Sequence, residues 1–145
     1  MKKILLLNGP NLNLLGNRET NLYGEKSLEE IKILCEDKCK ALKIKCIFSQ
    51  SNNEGELINL IQDVENNFDG LIINPAAFTH TSIAILDALR SLSKPKIEIH
   101  LSNIYSREDY RKKSITSEAV NGLICGFGEN SYILAIEAIN NLIYK

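Results

Sequence analysis

Nowhere in the 145 residues is there an apolar stretch long enough to cross a bilayer, which argues against a membrane span. Acidic and basic residues, 18 against 17, nearly cancel to a formal charge of −1 and gather into no long block of either sign. That leaves no electrostatic footprint for nucleic acid. Met1-Lys2-Lys3 leads into only four apolar residues before Asn8. Such a run is too short for a signal-peptide core, so a cytoplasmic location is expected. Glycine-rich phosphate cradles are missing too. Neither G-x-G-x-x-G nor G-x-x-x-x-G-K-S/T occurs, and no nucleotide cofactor is expected. No lysine lies within an apolar strand run or at a motif-bearing strand end, where desolvation would tune it for imine chemistry. Cys35 and Cys39, four apart on one side of a helical pattern, have no further ligand pair at zinc-like spacing. All four cysteines, Cys46 and Cys125 included, are expected as free thiols packed in or beside the core.

What is present is an alternation. Five short runs rich in leucine and β-branched residues, Lys3–Leu7, Ile44–Phe48, Gly70–Ile73, Lys96–His100 and Gly122–Phe127, read as buried parallel strands. Helical patterns separate them. Ser27-Leu28-Glu29-Glu30 is a capping box, followed by Ile31, Leu34, Cys35 and Leu42 on one face. Asn53 through Phe68 and Ser82 through Leu92 give two more helices, Ser106-Arg107-Glu108-Asp109 opens a short fourth, and Tyr132–Ile143 closes the chain. The length suits one domain, 1–145. Right-handed crossovers then predict an α/β fold: a flavodoxin-like, doubly wound five-stranded parallel sheet in the order 2-1-3-4-5. Ligands bind such sheets beyond the carboxyl ends of the strands, where the order reverses. Strands 1, 3 and 4 are neighbours there. They end in Asn8-Gly9-Pro10-Asn11, Asn74-Pro75-Ala76-Ala77-Phe78-Thr79-His80 and Glu98-Ile99-His100-Leu101-Ser102-Asn103.

Between Gly9 and Lys26 the first connection is far longer than βα loops usually are, and it carries Arg18 and Tyr23. A phenol ionises near pH 10, so Tyr23 serves as a base only beside a charge that stabilises phenolate, and Arg18 is the obvious candidate. His100 reads either as a core histidine satisfied by a carbonyl or as a general acid. Glu98, two residues earlier and on the same face, favours the acid by fixing one ring tautomer. Asn11 and Asn74 are neutral groups suited to orienting a polyol or holding a water; carboxylates there would have pointed to a metal, and none is expected. The Leu101 and Ser102 amides form a candidate nest for a substrate carboxylate, and His80 is placed to bind hydroxyls. Taken alone, Arg111 belongs to a run that reads as a solvated helix face, and Asp87 reads as an exposed helix carboxylate. One base, one acid, an arginine and neutral hydrogen-bonders suit proton abstraction beside a carbonyl followed by loss of water.

At these residues the sequence resembles the type II 3-dehydroquinate dehydratases along essentially its whole length. The likeness runs through Asn8 to Gly16, Arg18-Glu19, Tyr23-Gly24, Gln50-Ser51-Asn52, Asn74 to Ser82, Glu98 to Asn103, and Arg107-Glu108 to Arg111. It implies anti elimination of water from 3-dehydroquinate to 3-dehydroshikimate through an enolate, with no cofactor. In that resemblance Tyr23, assisted by Arg18, removes the C2 proton, and His100 protonates the departing hydroxyl. Asn11 holds a water, Asn74 orients substrate, the Leu101 and Ser102 amides take the carboxylate, and His80 and Arg111 meet ring hydroxyls. Asp87 reaches a neighbouring subunit's site in trimers assembled into dodecamers. The rival readings are a flavodoxin, a receiver-like domain, and a non-catalytic domain that binds polyol acids. A receiver needs aspartate where Asn74 stands, and a flavin needs a phosphate loop after strand 1.

Overall fold

The computed structural model describes residues 1–17 and 19–145. Its five strands are Lys3–Asn8 (β1), Lys45–Gln50 (β2), Gly70–Asn74 (β3), Lys96–His100 (β4) and Gly122–Cys125 (β5). All pair in parallel, in the order β2-β1-β3-β4-β5. The helices are Thr20–Tyr23 (α1), Leu28–Ala41 (α2), Glu54–Asn67 (α3), Ile83–Ser91 (α4) and Asn130–Ile143 (α5). Among the described residues no helix is long and apolar enough to cross a membrane.

Side chains alternate across each strand, so the sheet divides the core in two. Ile4, Leu6, Ile72, Ile97 and Ile99 face the side covered by α2 and α5, where Ile31, Cys35, Cys39, Ile136 and Ile139 meet them. Leu5, Leu7, Leu71 and Ile73 face α3 and α4, against Leu57, Ile61, Val64, Ile85 and Leu89. Glu98 and His100 belong by alternation to this second face, with Glu98 in register with Ile73. At the carboxyl end of β4, therefore, two polar side chains replace the aliphatic layer.

The helix starts follow from side-chain caps. Ser27 and Glu30 form the reciprocal capping box, Asn53 accepts from the Glu56 amide, and Ser82 accepts from the Ile85 amide. Four expectations need correction. Burial along the strands is uneven: β1, β3 and β4 are buried almost throughout, while β2 and β5 have half-exposed positions because each has a neighbour on one side only. On α2 the inward stripe is Ile31, Cys35 and Cys39, whereas Leu34 is 37% exposed. The segment beginning at Ser106 is no α-helix. Three short 3-10 turns, Ile104–Ser106, Asp109–Arg111 and Thr116–Ala119, occupy it, because the Asn103 side chain takes the Tyr105 amide and Arg107 and Glu108 adopt extended backbone. Lysines do open β1, β2 and β4, as Lys3, Lys45 and Lys96, all at the strands' amino ends. Partial burial draws the Lys96 ammonium below its ordinary pKa, but it is spent on the carbonyls of Leu92 and Lys94.

Cys35 and Cys39 are buried in the α2 core, and all four thiols are free. Burial pushes the Cys35 thiol up to about 12, so it stays protonated and packs as a small apolar group.

Gly9 shows how tightly the ends of β1 and β3 meet. Its amide donates to the Asn74 carbonyl at 2.8 Å, and a Cβ there would stand 2.7 Å from the Pro75 carbonyl oxygen. Gly9→Ala is expected to cost about 1–3 kcal/mol, the usual range for overpacking, read as a lower urea midpoint at unchanged m-value. An unchanged midpoint would show that this approach is slack.

Candidate active site

Register brings the polar strand ends together. Asn8 pairs with Asn74 across β1 and β3, and Ile73 with Glu98 across β3 and β4. Above them the connections enclose one cavity. Its polar lining is Asn11, Tyr23, Asn74, His80, His100, Ser102, Arg107 and Arg111, and Pro10, Leu12, Leu15, Ala76, Ala77, Leu101 and Ile104 supply apolar wall.

Glu98 is wholly buried and His100 is 5% exposed. The His100 Nε2 lies 2.6 Å from Glu98 Oε2. Accepting the Nε2 hydrogen on Glu98 leaves Nδ1 as the ring nitrogen available to the cavity. Thr116 donates to Glu98 Oε1 at 2.6 Å and Thr79 to Oε2 at 2.7 Å, and the Ser114 hydroxyl lies 3.1 Å from Oε2. Burial by itself pushes the Glu98 carboxyl up. The hydrogen bond and charge of His100, with the Thr116 and Thr79 hydroxyls, outweigh that and hold it below the usual carboxylate range.

Tyr23 ends α1 beside the opposite wall. Arg107 Nη1 donates to its hydroxyl oxygen at 2.7 Å, and the guanidinium carbon sits 5.2 Å from the ring centroid. The guanidinium thus sets a positive charge and a donor against the phenol oxygen. Arg107 also lies 4.0 Å from Glu19 and 3.5 Å from the Ser102 hydroxyl, with its own side chain only 10% exposed. Arg18, expected in this role, lies outside the described residues. Arg107 and Arg111 both come from the segment read as a solvated face, and that reading is overturned for both. With no helix to turn them outward, the extended backbone at Arg107 and the turn at Asp109–Arg111 direct them into the cavity. Arg111 Nε lies 2.9 Å from Glu108 Oε2, at an angle that makes an ion pair without a hydrogen bond.

The remaining residues are braced from behind. Asn11 takes a left-handed backbone (φ 68°), and its amide donates to Asn52 Oδ1 at 2.9 Å. Gln50 Nε2 also bonds that oxygen, at 3.0 Å, and the Gly9 carbonyl at 3.1 Å. The end of β2, which the sequence places farther out, thus anchors the Asn11 turn. Asn74 donates to the hydroxyl of Tyr132 at 3.2 Å and accepts the Ala76 amide at 3.2 Å. Tyr132, 1% exposed on α5, donates in turn to Asn8 Oδ1 at 2.5 Å. Burial pushes the Tyr132 phenol up, which keeps that hydrogen in place. His80 Nδ1 is engaged by the Lys113 carbonyl at 2.7 Å, leaving Nε2 for a hydroxyl. Asp87 is exposed on α4 and is not part of its own chain's cavity wall. Among the described residues no group of three or more His, Cys, Asp or Glu is placed to hold a metal ion.

A doubly wound sheet with a phenol, an imidazole and two guanidiniums gathered where its strand order reverses defines an acid–base enzyme on a flavodoxin-like frame. Comparison with known proteins narrows the class. The chain belongs to the family described as dehydroquinase class II, whose model matches residues 2–140. It is 56% identical over 146 residues to a 3-dehydroquinate dehydratase of Clostridium botulinum, covering 99% of this chain and 98% of the relative. It is 52% identical over 142 residues to that of Thermoanaerobacter pseudethanolicus, covering 98% and 96%. The crystal structure of a type II dehydroquinase from Butyrivibrio crossotus superposes with a TM-score of 0.94 at 47% identity, covering 96% of this chain and 97% of the other.

Sequence reasoning missed Tyr132 because an aromatic at helical spacing reads as core packing, and its hydroxyl has no partner in the linear order. Tyr132→Phe leaves Asn8 Oδ1 and one Asn74 hydrogen unpaired in a buried place. The expected cost is about 1–3 kcal/mol by chemical denaturation. Full retention of stability would mean that the two asparagines find other partners.

Proposed function

We propose that this chain is a type II 3-dehydroquinate dehydratase, a hydro-lyase of the shikimate pathway. It removes water from 3-dehydroquinate by anti elimination through an enolate and releases 3-dehydroshikimate. The observation that carries the reading is a single cavity whose wall includes Tyr23 under the Arg107 guanidinium and His100 backed by Glu98.

Tyr23 acts as the phenolate, taking the C2 proton beside the ketone. The resulting enolate carries the negative charge that the phenolate gives up. As the C1–oxygen bond breaks, His100 delivers a proton from Nδ1 to the leaving hydroxyl, and water departs. One proton has entered Tyr23 and one has left His100, so a proton must pass back to the imidazole before the next turnover. Arg18 is assigned the role of assisting Tyr23, as the resemblance implies. Asn11 holds a water near the enolate oxygen, and Asn74 orients the substrate beside His100. The Leu101 and Ser102 amides take the carboxylate, and His80 and Arg111 meet ring hydroxyls. Residues 1–145 act as one catalytic domain.

We assign the assembly to trimers built into a dodecamer, with Asp87 facing a neighbouring subunit's site. Asp87 is exposed on α4, one turn after Ile83, which is 64% exposed, so the two lie on one outward face of that helix. A cytoplasmic location is supported by four free cysteines.

Adding 3-dehydroquinate to the purified chain should raise the absorbance of the conjugated enone product. Tyr23→Phe and His100→Ala should each lower kcat by at least about a hundredfold, the low end for losing a general base or acid. No product at any pH would favour a polyol-acid-binding domain over an enzyme, and near-wild-type turnover in either variant would remove that residue from its role. Light scattering on a sizing column should give a mass about twelve times that of the 16.3 kDa chain, and a monomer would overturn the assembly.

A further inference from the structure

The environment of Glu98 contains more than the pairing with His100 requires. Three hydroxyls from two separate turns converge on one carboxylate. Thr79 comes from the turn after β3, and Ser114 and Thr116 from the segment that follows Arg107 and Arg111. Thr79, Thr116 and Glu98 are each 0% exposed. The hydroxyls also touch one another, Thr79 with Ser114 at 2.6 Å and with Thr116 at 2.7 Å. Each hydroxyl has a single hydrogen to donate. One arrangement uses all three: Thr116 to Oε1, Thr79 to Oε2, and Ser114 to the Thr79 oxygen. A Ser117 amide at 3.2 Å on the Ser114 oxygen favours turning the Ser114 hydrogen inward.

The strands on either side of Glu98 offer it no side-chain donor in register. Across β3 its register partner is Ile73, and across β5 it is Leu123. The titratable groups facing it are His100 on its own strand and Cys125 two residues beyond Leu123. Burial, and to a smaller degree the Glu98 charge, push the Cys125 thiol up, so it stays neutral. Geometry, then, makes the hydroxyls the groups that decide how Glu98 is turned.

Resting on the reading of His100 as the acid, we propose that Thr79, Ser114 and Thr116 are positioning residues for proton delivery. Together they hold Glu98 in the orientation that claims His100 Nε2, and so fix Nδ1 as the nitrogen that faces substrate. The same two turns carry substrate-facing groups and are bonded to each other, Ile115 N–H to the Thr79 carbonyl at 2.8 Å and His80 Nδ1 to the Lys113 carbonyl at 2.7 Å. The hydroxyl cluster thereby ties the placement of His80 and Arg111 to that of the acid.

A sign follows for pH dependence. Glu98 has its carboxyl depressed in the folded chain, so the ionised form persists until pH falls through that lowered value. Removing a hydroxyl that bonds the carboxylate, with burial unchanged, moves the protonation of Glu98 to higher pH. Thr116→Val and Thr79→Val should therefore shift the acid limb of kcat upward by about one unit. That is about tenfold in rate below the limb, with a much smaller change on the plateau. Thr116→Ser should restore the wild-type limb. Ser114→Ala, at a half-buried position, gives a smaller shift in the same direction and serves if the valine variants fail to fold.

A second readout is independent of turnover. The chain has two histidines, so the nitrogen-15 spectrum of its imidazoles has two ring systems to assign. In the wild type the neutral His100 ring should carry its single hydrogen on Nε2, with Nδ1 taking the second hydrogen in the acid form that turns over, and Thr116→Val and Ser114→Ala should mix the tautomers of the neutral ring. Variants that melt earlier yet keep the wild-type acid limb and a pure Nε2–H tautomer would reduce the hydroxyls to structural packing and overturn the proposal. If wild-type protein shows no enone product, the functional reading falls, and the tautomer comparison alone decides whether these hydroxyls orient the ring.

Discussion

A carboxylate with no exposed surface, 2.6 Å from an imidazole, sets the terms for this molecule. Taking Glu98 out of water costs several kcal/mol unless hydrogen bonds and a partner charge offset it. β4 is a central strand in a parallel sheet, so no solvent reaches that position from either side, and every offsetting group has to be supplied by the fold. His100 comes from two residues along the same strand. The rest come from turns more than fifteen residues away in either direction, Thr79 on one side and Thr116 on the other. The irregular path from Ile104 to Ala119 makes sense in this light. An α-helix there would satisfy its own backbone, whereas successive 3-10 turns bring Arg107, Arg111, Ser114 and Thr116 to one strand end.

The base side is built differently. Tyr23 stands at the end of a four-residue helix, too short to hold itself, within a long connection. What marks its hydroxyl is the Arg107 guanidinium, whose own placement depends on the Asn103 turn just beyond β4. The proposed acid and base thus trace back to the same strand. His100 sits on β4 itself, and the guanidinium that meets the Tyr23 hydroxyl follows seven residues later. A displacement of β4 relative to β3 would disturb both proton-transfer groups together, which gives the tight approach of Gly9 to Pro75 and the buried Asn8–Tyr132–Asn74 chain a functional meaning as well as a structural one.

Much of this was legible in the sequence because local physics decides it. Near-continuous apolar runs alternating with capped helical stripes fix a parallel sheet, and the strand ends carry their polar residues in adjacent stretches of chain. The Glu98–His100 pairing needs only a period of two. Arg107 was not legible, because a charged run looks the same whether it lines a solvated helix or folds as extended backbone into a cavity, and an Asn103 side chain makes the difference. Leu34 misled for a related reason: position on an apolar stripe says which side of a helix turns inward, and not how far the neighbouring helix extends to cover it. Tyr132, Thr79 and Thr116 were invisible for want of sequence proximity. Their hydroxyls meet groups 124, 19 and 18 residues away.

The division of labour between strand and loop also bears on how such a site could move protons. General acid–base catalysis is effective when the groups are held at hydrogen-bonding distance in the right protonation states, and a preorganised donor costs no reorganisation during the reaction. The imidazole satisfies this in full, being fixed by a strand, a carboxylate and the hydroxyls behind it. The phenol satisfies it only while Arg107 reaches across from a different segment, through contacts of 2.7 Å to Tyr23 and 4.0 Å to Glu19 on the first connection. In the proposed roles, then, the acid rests on a strand, a buried carboxylate and the hydroxyls behind it, whereas the base rests on one guanidinium reaching over from another segment.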